Sequence, residues 1–249
     1  DLTFTASNAD SEISVDGTTL TITPPANYNG TFDIEVTVTD GDLSDSTTFT
    51  LTVTAVNDAP VISALDDQVI NEDTSLTIEL SASDIDSNDL TFSATNGDSE
   101  ISVDGTTLTI TPPANYNGSE AVTVTVTDGE GLGNFLSDST TFTLTINPVN
   151  DAPTLDDLDD ASVAEDNTYT LELSGADVDG DALTFQASAD NASASIDGST
   201  LTVTPDADYN GDVIVTVVAS DGQASGSGSF ILTVTAVNDV PVISALDDQ

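Results

Sequence analysis

Three oxygen-rich patterns recur along this sequence at positions where they could bind metal ions. The motif Val-Asn-Asp-Ala-Pro at 56–60 returns at 149–153 and, with valine in place of alanine, at 237–241. Between these motifs, a Glu-Asp pair and an Asp-x-Asp triplet recur in the same order. Ca²⁺ takes about six to eight oxygen ligands and tolerates irregular geometry, so carboxylates, amides and backbone carbonyls suit it. The patterns therefore predict calcium sites beside the Asn-Asp joints.

The predicted ligands come from the joints, the Glu-Asp pairs, the Asp-x-Asp triplets and a single aspartate late in each repeat. They are Asn57, Asp58, Glu72, Asp84, Asp86 and Asp128, then Asn150, Asp151, Glu165, Asp177, Asp179 and Asp221, and finally Asn238 and Asp239. Aspartate is also common in solvated turns, and that alternative explains any one of these residues taken alone. The metal interpretation depends on their occurrence together at one end of a repeat.

The composition of the chain limits which partners it can have. It contains 45 acidic side chains, no Lys, Arg or His, and a formal charge of −45. Such self-repulsion destabilises a compact state, so bound divalent cations or high salt must offset it. Binding to nucleic acid phosphates needs Lys or Arg, so neither nucleic acid nor an anionic membrane surface is an expected partner. No apolar run reaches the length of about 18 residues that predicts a membrane span.

Near-identical segments predict a tandem array of small domains. Residues 101–118 repeat residues 13–30 without change, and residues 241–249 repeat residues 60–68. A repeat of about 90 residues is the size of a small domain. The predicted domains are a partial repeat that lacks its first two strands, two complete repeats, and the start of a further repeat. Their boundaries are 1–57, 58–150, 151–238 and 239–249.

Apolar residues alternate with polar ones in seven short segments of each complete repeat, which predicts strands A to G of an antiparallel β-sandwich. In the first complete repeat, strand A is predicted to run from Val61-Ile62 through Val69-Ile70. Asp104-Gly105 predicts a two-residue hairpin between strands D and E. Tyr116, which stands just before strand F, resembles the tyrosine corner of immunoglobulin-like sandwiches.

Strand direction then predicts where the acidic residues lie. The B–C, D–E and F–G loops should share one end of the repeat with the preceding joint, whereas the A–B loop should lie at the opposite end. Glu72 is therefore expected to meet the predicted ligands that follow Asn150 at the next joint.

Glycosidases also use paired carboxylates, but the acids here recur at every joint and aromatic residues make up only 5% of the chain. Without His, Cys or Lys as well, the sequence predicts no enzyme.

Glu72, Asp84-x-Asp86, the Val-Asn-Asp-Ala-Pro joint and Asp128 together resemble the calcium-binding pattern of cadherin repeats. The pattern is most similar to the cadherin-like tandem repeats of large bacterial surface adhesins, including the RTX type. The resemblance implies an all-β, elongated array of seven-stranded immunoglobulin/cadherin-like sandwiches. It also implies a secreted, calcium-rigidified stalk that projects an adhesive region from the cell surface, with neighbouring repeats as partners. The acidic Leu-Asp-Arg-Glu motif of cadherins is replaced here by residues 112–116, and only the third repeat has acids there, at Asp206 and Asp208.

Two alternative functions remain open at this point. The first is a carbohydrate- or protein-binding module, whose binding loop would be the enlarged F–G loop at 128–138. The second is a filament subunit, in which a like chain supplies strands to the partial first repeat by β-strand addition. A trimmed segment of a longer protein is the simpler explanation of the partial repeats. The ligand of any adhesive tip is not predicted.

Overall fold

The computed structural model describes residues 1–129 and 134–240, and all regular structure in these ranges is β-strand. Contacts divide the chain into two compact units, residues 1–147 and 148–249, and each is described by itself. The first unit contains the first and middle repeats, and the second contains the third repeat. Within the described ranges, no helix is long and apolar enough to cross a membrane.

The strands of the first unit fall into two sets. The first repeat contains β1 (Thr3–Ser7), β2 (Glu12–Asp16), β3 (Thr19–Thr23), β4 (Gly30–Thr39) and β5 (Ser44–Val53). The middle repeat contains β6 (Val61–Ile62), β7 (Gln68–Asn71), β8 (Leu76–Glu79), β9 (Ala82–Ser83), β10 (Leu90–Thr95), β11 (Glu100–Asp104), β12 (Thr107–Thr111), β13 (Gly118–Asp128) and β14 (Ser137–Asn147).

The second unit repeats the pattern of the middle repeat. Its strands are β15 (Thr154–Leu155), β16 (Ala161–Ala164), β17 (Tyr169–Glu172), β18 (Gly175–Ala176), β19 (Thr184–Ala189), β20 (Ala192–Asp197), β21 (Thr200–Pro205), β22 (Gly211–Ser220) and β23 (Ser225–Thr235). The middle repeat packs a sheet of order β10-β13-β14-β7 on a sheet of order β11-β12-β8. The third packs β19-β22-β23-β16 on β20-β21-β17. The predicted all-β sandwich fold is confirmed.

Strand A differs from its prediction, because it is two short strands rather than one. Val61–Ile62 pairs with Ala82–Ser83, whereas Gln68–Asn71 pairs in parallel with β14 in the opposite sheet. Asp67 lies between the two halves, and its Oδ1 accepts the N–H of Thr143 at 2.7 Å, one residue before β7 begins to pair with β14. The first half of strand A forms a separate two-stranded sheet with β9.

The D–E hairpin turn lies one residue later than predicted. Asp104 pairs with Thr107, so the two loop residues are Gly105 and Thr106. Gly105 has a φ of +59°, and glycine at the first loop position suits one of the two common hairpin turns. The predicted Asp104-Gly105 turn is therefore wrong by one position.

The tyrosine before strand F packs across its own loop. Tyr28 Oη donates to the backbone carbonyl of Thr31 at 3.2 Å, and Tyr209 Oη donates to that of Asp212 at 3.0 Å. In the middle repeat, a Cβ added to Gly118 would lie 3.3 Å from the oxygen of Tyr116, at a φ of +148°. Steric closeness and backbone conformation together explain why this motif ends in glycine.

Identical sequences are buried differently in the first and middle repeats. Leu108 on β12 is fully buried, whereas its counterpart Leu20 on β3 is half-buried. In the middle repeat β8 pairs with β12 and places Ile78 opposite Leu108. Among the described residues, β3 pairs only with β2. Burial here depends on the neighbouring strand and not on the local sequence.

We therefore expect Leu108→Ala to destabilise its repeat far more than Leu20→Ala destabilises the first. Removing a fully buried leucine costs about 2–5 kcal/mol through lost burial and the cavity left behind. Hydrogen exchange of the β12 and β3 amides in each variant measures the two losses separately. Equal losses at the two positions would show that strand pairing does not decide the burial.

Glu120 is a buried carboxylate at a core position of the middle repeat. Strand register makes Phe32 and Val213 its counterparts in the other two repeats, and both are buried apolar residues. Ser99 Oγ donates to Glu120 Oε1. Oε2 accepts from Asn96 Nδ2 at 3.1 Å and from the N–H groups of Asp98 and Ser99 at 3.2 and 3.3 Å.

These hydrogen bonds fix the C–D loop and change the ionisation of Glu120. Burial alone would raise the pKa of this carboxyl. The donors from Ser99, Asp98 and Asn96 outweigh burial and hold its pKa below the ordinary value of 4.5. The folded state therefore favours the ionised form, in spite of burial.

We expect Glu120→Gln to lower the free energy of unfolding at neutral pH by about 1–3 kcal/mol, because hydrogen bonds to a charged acceptor are lost. The contribution of a carboxylate with a lowered folded pKa is present above the unfolded pKa and disappears as pH falls through the folded pKa. The difference between wild type and variant should therefore shrink in acid. Urea unfolding at a series of pH values measures it, with the exposed Glu100→Gln as control. A difference that stays constant down to low pH would contradict this explanation.

Candidate metal centre

The Asp-x-Asp triplet of the middle repeat lies in the loop that follows β9. Asp84 Oδ1 accepts the N–H groups of Asp86 and Ser87 at 2.7 and 2.8 Å. Asp86 Oδ2 in turn accepts the N–H of Asp58 at 2.7 Å. Aspartate favours such turns because its side chain bonds to backbone two or three residues ahead. The triplet is thereby fixed to its own loop and to the joint.

The last aspartate of β13 connects the same joint to the F–G loop. Asp128 is 2% exposed. Its Oδ1 accepts the N–H of Leu136 at 2.8 Å, and its Oδ2 accepts from Asn57 Nδ2 at 2.5 Å. The structure therefore brings five predicted ligands together at one end of the middle repeat, namely Asn57, Asp58, Asp84, Asp86 and Asp128.

The third repeat builds the same arrangement from a different sequence. Asp177 Oδ1 accepts the N–H of Asp179 at 2.9 Å, and Asp179 Oδ2 accepts the N–H of Asp151 at 2.8 Å. Asn150 Nδ2 donates to Asp221 Oδ2 at 2.9 Å. The predicted ligands of this repeat from Asn150 to Asp221 thus hold the same positions as those of the middle repeat.

Hydrogen bonds from the F–G turn stabilise the charge on its first aspartate. The N–H of Ala224, then the amide of Asn150 and the N–H of Gln223, hold the pKa of Asp221 below its ordinary value. In the first repeat, the N–H groups of Leu43 and Asp42 do the same for Asp40. These hydrogen bonds therefore favour the ionised form of both carboxylates.

One oxygen of each triplet's first aspartate remains without a partner. Among the described residues, no hydrogen-bond donor reaches the buried Oδ2 of Asp84 or that of Asp177. Leaving a charged oxygen buried and unpaired is costly. The chain has no cationic side chain to offset that cost. An oxygen-lined position with an unmatched negative charge, repeated in two domains, fits a hard cation such as Ca²⁺.

The opposite end of the third repeat carries a second group of carboxylates. Glu165 is 4% exposed, and its Oε1 accepts the N–H of Val237 at 2.5 Å. Asp166, Asp208 and Asp239 each place a carboxylate oxygen within 4.8 Å of the others. Burial and repulsion from Asp208, Glu165 and Asp166 raise the pKa of Asp239.

Asp208 was missing from the predicted ligands, although the sequence carries a signal for it. It stands where the middle repeat has Asn115 in the Asn-Tyr-Asn-Gly motif, so an added charge marks the position. In the middle repeat the N–H of Asn115 donates instead to Asp73 Oδ1 at 3.0 Å. The loop before strand F therefore has two carboxylates in the third repeat, Asp206 and Asp208, where the middle repeat has Pro113 and Asn115.

Glu72 is the counterpart of Glu165 in the middle repeat. Its N–H donates to the carbonyl of Asn147 at 2.9 Å, and its Oε2 accepts from Asn117 Nδ2 at 3.3 Å. Its meeting with the ligands that follow Asn150 stays a prediction. Asn238 Nδ2 donates to the carbonyl of Asp239 at 3.2 Å. The centre of the enlarged F–G loop, 130–133, and most of the predicted further repeat, 241–249, lie outside the described residues.

Comparison with known proteins identifies related sequences and folds. A family model described as a bacterial Ig domain matches residues 57–147 and 150–235. Among curated proteins, none matches this sequence. The extracellular fragment EC22-24 of mouse cadherin-23 is similar over 95% of this chain and 86% of its own, with 15% identity and a TM-score of 0.52. Mouse protocadherin-24 EC1-3 is similar over 94% and 90% of the two chains, with 17% identity and a TM-score of 0.52.

A further similarity concerns only part of a larger protein. An endo-fucoidan hydrolase from glycoside hydrolase family 107 matches over 95% of this chain with 22% identity and a TM-score of 0.33. This chain spans 39% of that protein's length. The two mouse structures show that the tandem sandwich of this chain is cadherin-like in fold.

Proposed function

The chain belongs to the bacterial Ig domain family, and from that premise we propose that it is a calcium-stiffened stalk segment of a secreted bacterial surface adhesin. In this proposal the repeats perform no catalysis and bind neighbouring repeats of the same chain. Calcium ions bind at the ends of the repeats, and the stalk projects an adhesive region away from the cell. The proposed class of adhesins includes the RTX type.

The observation that carries the proposal is a pair of buried oxygens, Asp84 Oδ2 and Asp177 Oδ2, that no hydrogen-bond donor of the described residues reaches. In both triplets the first oxygen is already used by turn N–H groups, so the second is left for a ligand. The joint Asn and Asp lie beside each triplet and would supply amide, carboxylate or carbonyl oxygens. A bound cation supplies positive charge that no side chain of this protein can supply.

Stiffening would follow from how the first joint is built. Pro60 is buried, and a cavity of about 290 Å³ between the first and middle repeats is lined by Asn27, Asp58 and Asp86 among others. A cation held there by Asp58 and Asp86 would tie the linker to the body of the middle repeat. The Debye length at physiological salt is about 8 Å, so carboxylates closer together than this are poorly screened. Without the cation they would repel one another and loosen the joint.

Asp84→Asn and Asp177→Asn test the proposal without removing the turns. The amide oxygen of asparagine can still accept the turn N–H groups, whereas the charge at Oδ2 is lost. In calcium, we expect the double variant to melt below wild type, because a ligand that binds only the folded state adds about 2.7 kcal/mol at a hundredfold excess over Kd. In chelator at equal ionic strength, the order should reverse, because a buried unpaired charge has been removed.

The control is Asp10→Asn, which removes one exposed charge in the first repeat. It should relieve general repulsion but keep the full response to calcium. Magnesium at the same concentration should stabilise wild type less than calcium, because it demands regular octahedral geometry. Coincident melting curves of wild type in calcium and in chelator would refute the proposal.

A further inference from the structure

The third repeat exposes an apolar pair on the outward face of its four-stranded sheet. Ile214 on β22 and Ile231 on β23 lie directly opposite each other in the antiparallel register. They are 61% and 40% exposed, and their chain neighbours on both sides point into the core. The two side chains therefore form one outward contact on the four-stranded sheet, since directly opposite residues lie side by side on one face.

This pair is specific to the third repeat. The same cross-strand positions hold Ala121 and Thr143 in the middle repeat, and Asp33 and Thr50 in the first. In the first repeat, Thr50 Oγ1 donates to Asp33 Oδ1 at 2.8 Å, which is a polar pair suited to water. Neither of the other repeats needs an isoleucine here to fold as a sandwich. The fold itself therefore does not require an exposed isoleucine pair at these positions.

Carboxylates surround the apolar pair. Asp160 Oδ1 accepts the N–H of Ile231 at 2.7 Å. Asp212 lies two residues before Ile214 on β22 and accepts from Thr233 Oγ1 at 2.8 Å. Asp190 follows Ala189, the last residue of β19, and so lies in the register position beside Ile214. All three aspartates are exposed.

We propose that the Ile214–Ile231 face docks a cationic partner segment, in which an apolar side chain is flanked by lysine or arginine. The apolar side chain would cover the two isoleucines, and the basic groups would reach Asp160, Asp190 and Asp212. Such complementarity sets partner choice and association rate, while apolar burial supplies affinity. This surface is an outward sheet face that includes none of the predicted metal ligands, so the proposal goes beyond the stalk function.

A second copy of the chain is the wrong occupant for this surface. Each copy carries a formal charge of −45 and has no Lys, Arg or His. Two such faces would bring their aspartates together with no basic group to pair with them. Like charges across an interface oppose association. The positive charge must therefore come from a different molecule.

The test uses the full chain in calcium at physiological salt, with two synthetic peptides as probes. One peptide alternates lysine and leucine, and the other alternates lysine and serine. Amide chemical shifts on titration should change around Ile214 and Ile231 with the lysine–leucine peptide, and much less around Ala121 and Thr143. The lysine–serine peptide should bind at least about tenfold more weakly, because burial of leucine and isoleucine side chains is lost.

The variants exchange the residues of two repeats. Ile214→Ala with Ile231→Thr gives the third repeat the residues of the middle one and should abolish the localised shifts. Ala121→Ile with Thr143→Ile should create a second, weaker site, because the middle repeat has Asp67 as the counterpart of Asp160 but Ser119 in place of Asp212. Chemical-shift changes spread equally over all repeats would overturn the proposal. Equal binding of the lysine–leucine peptide by wild type and by the Ile214→Ala, Ile231→Thr variant would also overturn it. The proposal would likewise be overturned if wild type self-associates in the absence of peptide and the Ile214→Ala, Ile231→Thr variant does not.

Discussion

Repulsion among carboxylates is the main physical constraint on this molecule, because the chain has 45 acidic side chains and no Lys, Arg or His to pair with them. The partners that the fold supplies are backbone N–H groups, hydroxyls and amides. Asp84 and Asp177 are satisfied on one oxygen by turn N–H groups, Asp67 by the edge of a strand, and Glu120 by a loop that closes over it. Charge-assisted hydrogen bonds of this kind are stronger than neutral ones. The carboxylates thus take part in the fold rather than only covering its surface, and every loop that they hold depends on their ionised form.

Backbone donors do not reach every carboxylate oxygen, and the oxygens they leave out form the candidate metal centre. A turn offers donors on one side of an aspartate, so the second oxygen is left facing the joint. At Asp84 and Asp177 that oxygen is buried with no donor among the described residues. At the far end of the third repeat, burial and the neighbouring charges of Asp208, Glu165 and Asp166 raise the pKa of Asp239. A bound cation would offset the negative charge both at the buried oxygens and around Asp239. Under the proposed stalk function, stability and joint stiffness would then depend on the same ion.

Much of this arrangement follows from sequence, and the exceptions have physical causes. Period-two alternation and strand direction suffice to predict the sandwich and to bring Asp58 and Asp86 to one end. The break in strand A was not predictable from alternation, because its two halves pair with different strands, β9 and β14, and the second half pairs with one distant in sequence. Glu120 could not be assigned to the core, since a carboxylate is buried only where a loop supplies enough donors. Asp208 required comparison of the repeats, because its only signal is a charge where the middle repeat has an amide.

The measurement that bears most directly on the central claim is anomalous X-ray scattering from crystals of the full chain grown in calcium. The account predicts an anomalous peak at about 2.3–2.6 Å from Asp84 Oδ2 and another at the same distance from Asp177 Oδ2, as calcium–oxygen bonds require. The joint residues Asp58 and Asp151 should complete the two coordination shells. Well-ordered crystals in which neither oxygen has a peak beside it would contradict the account.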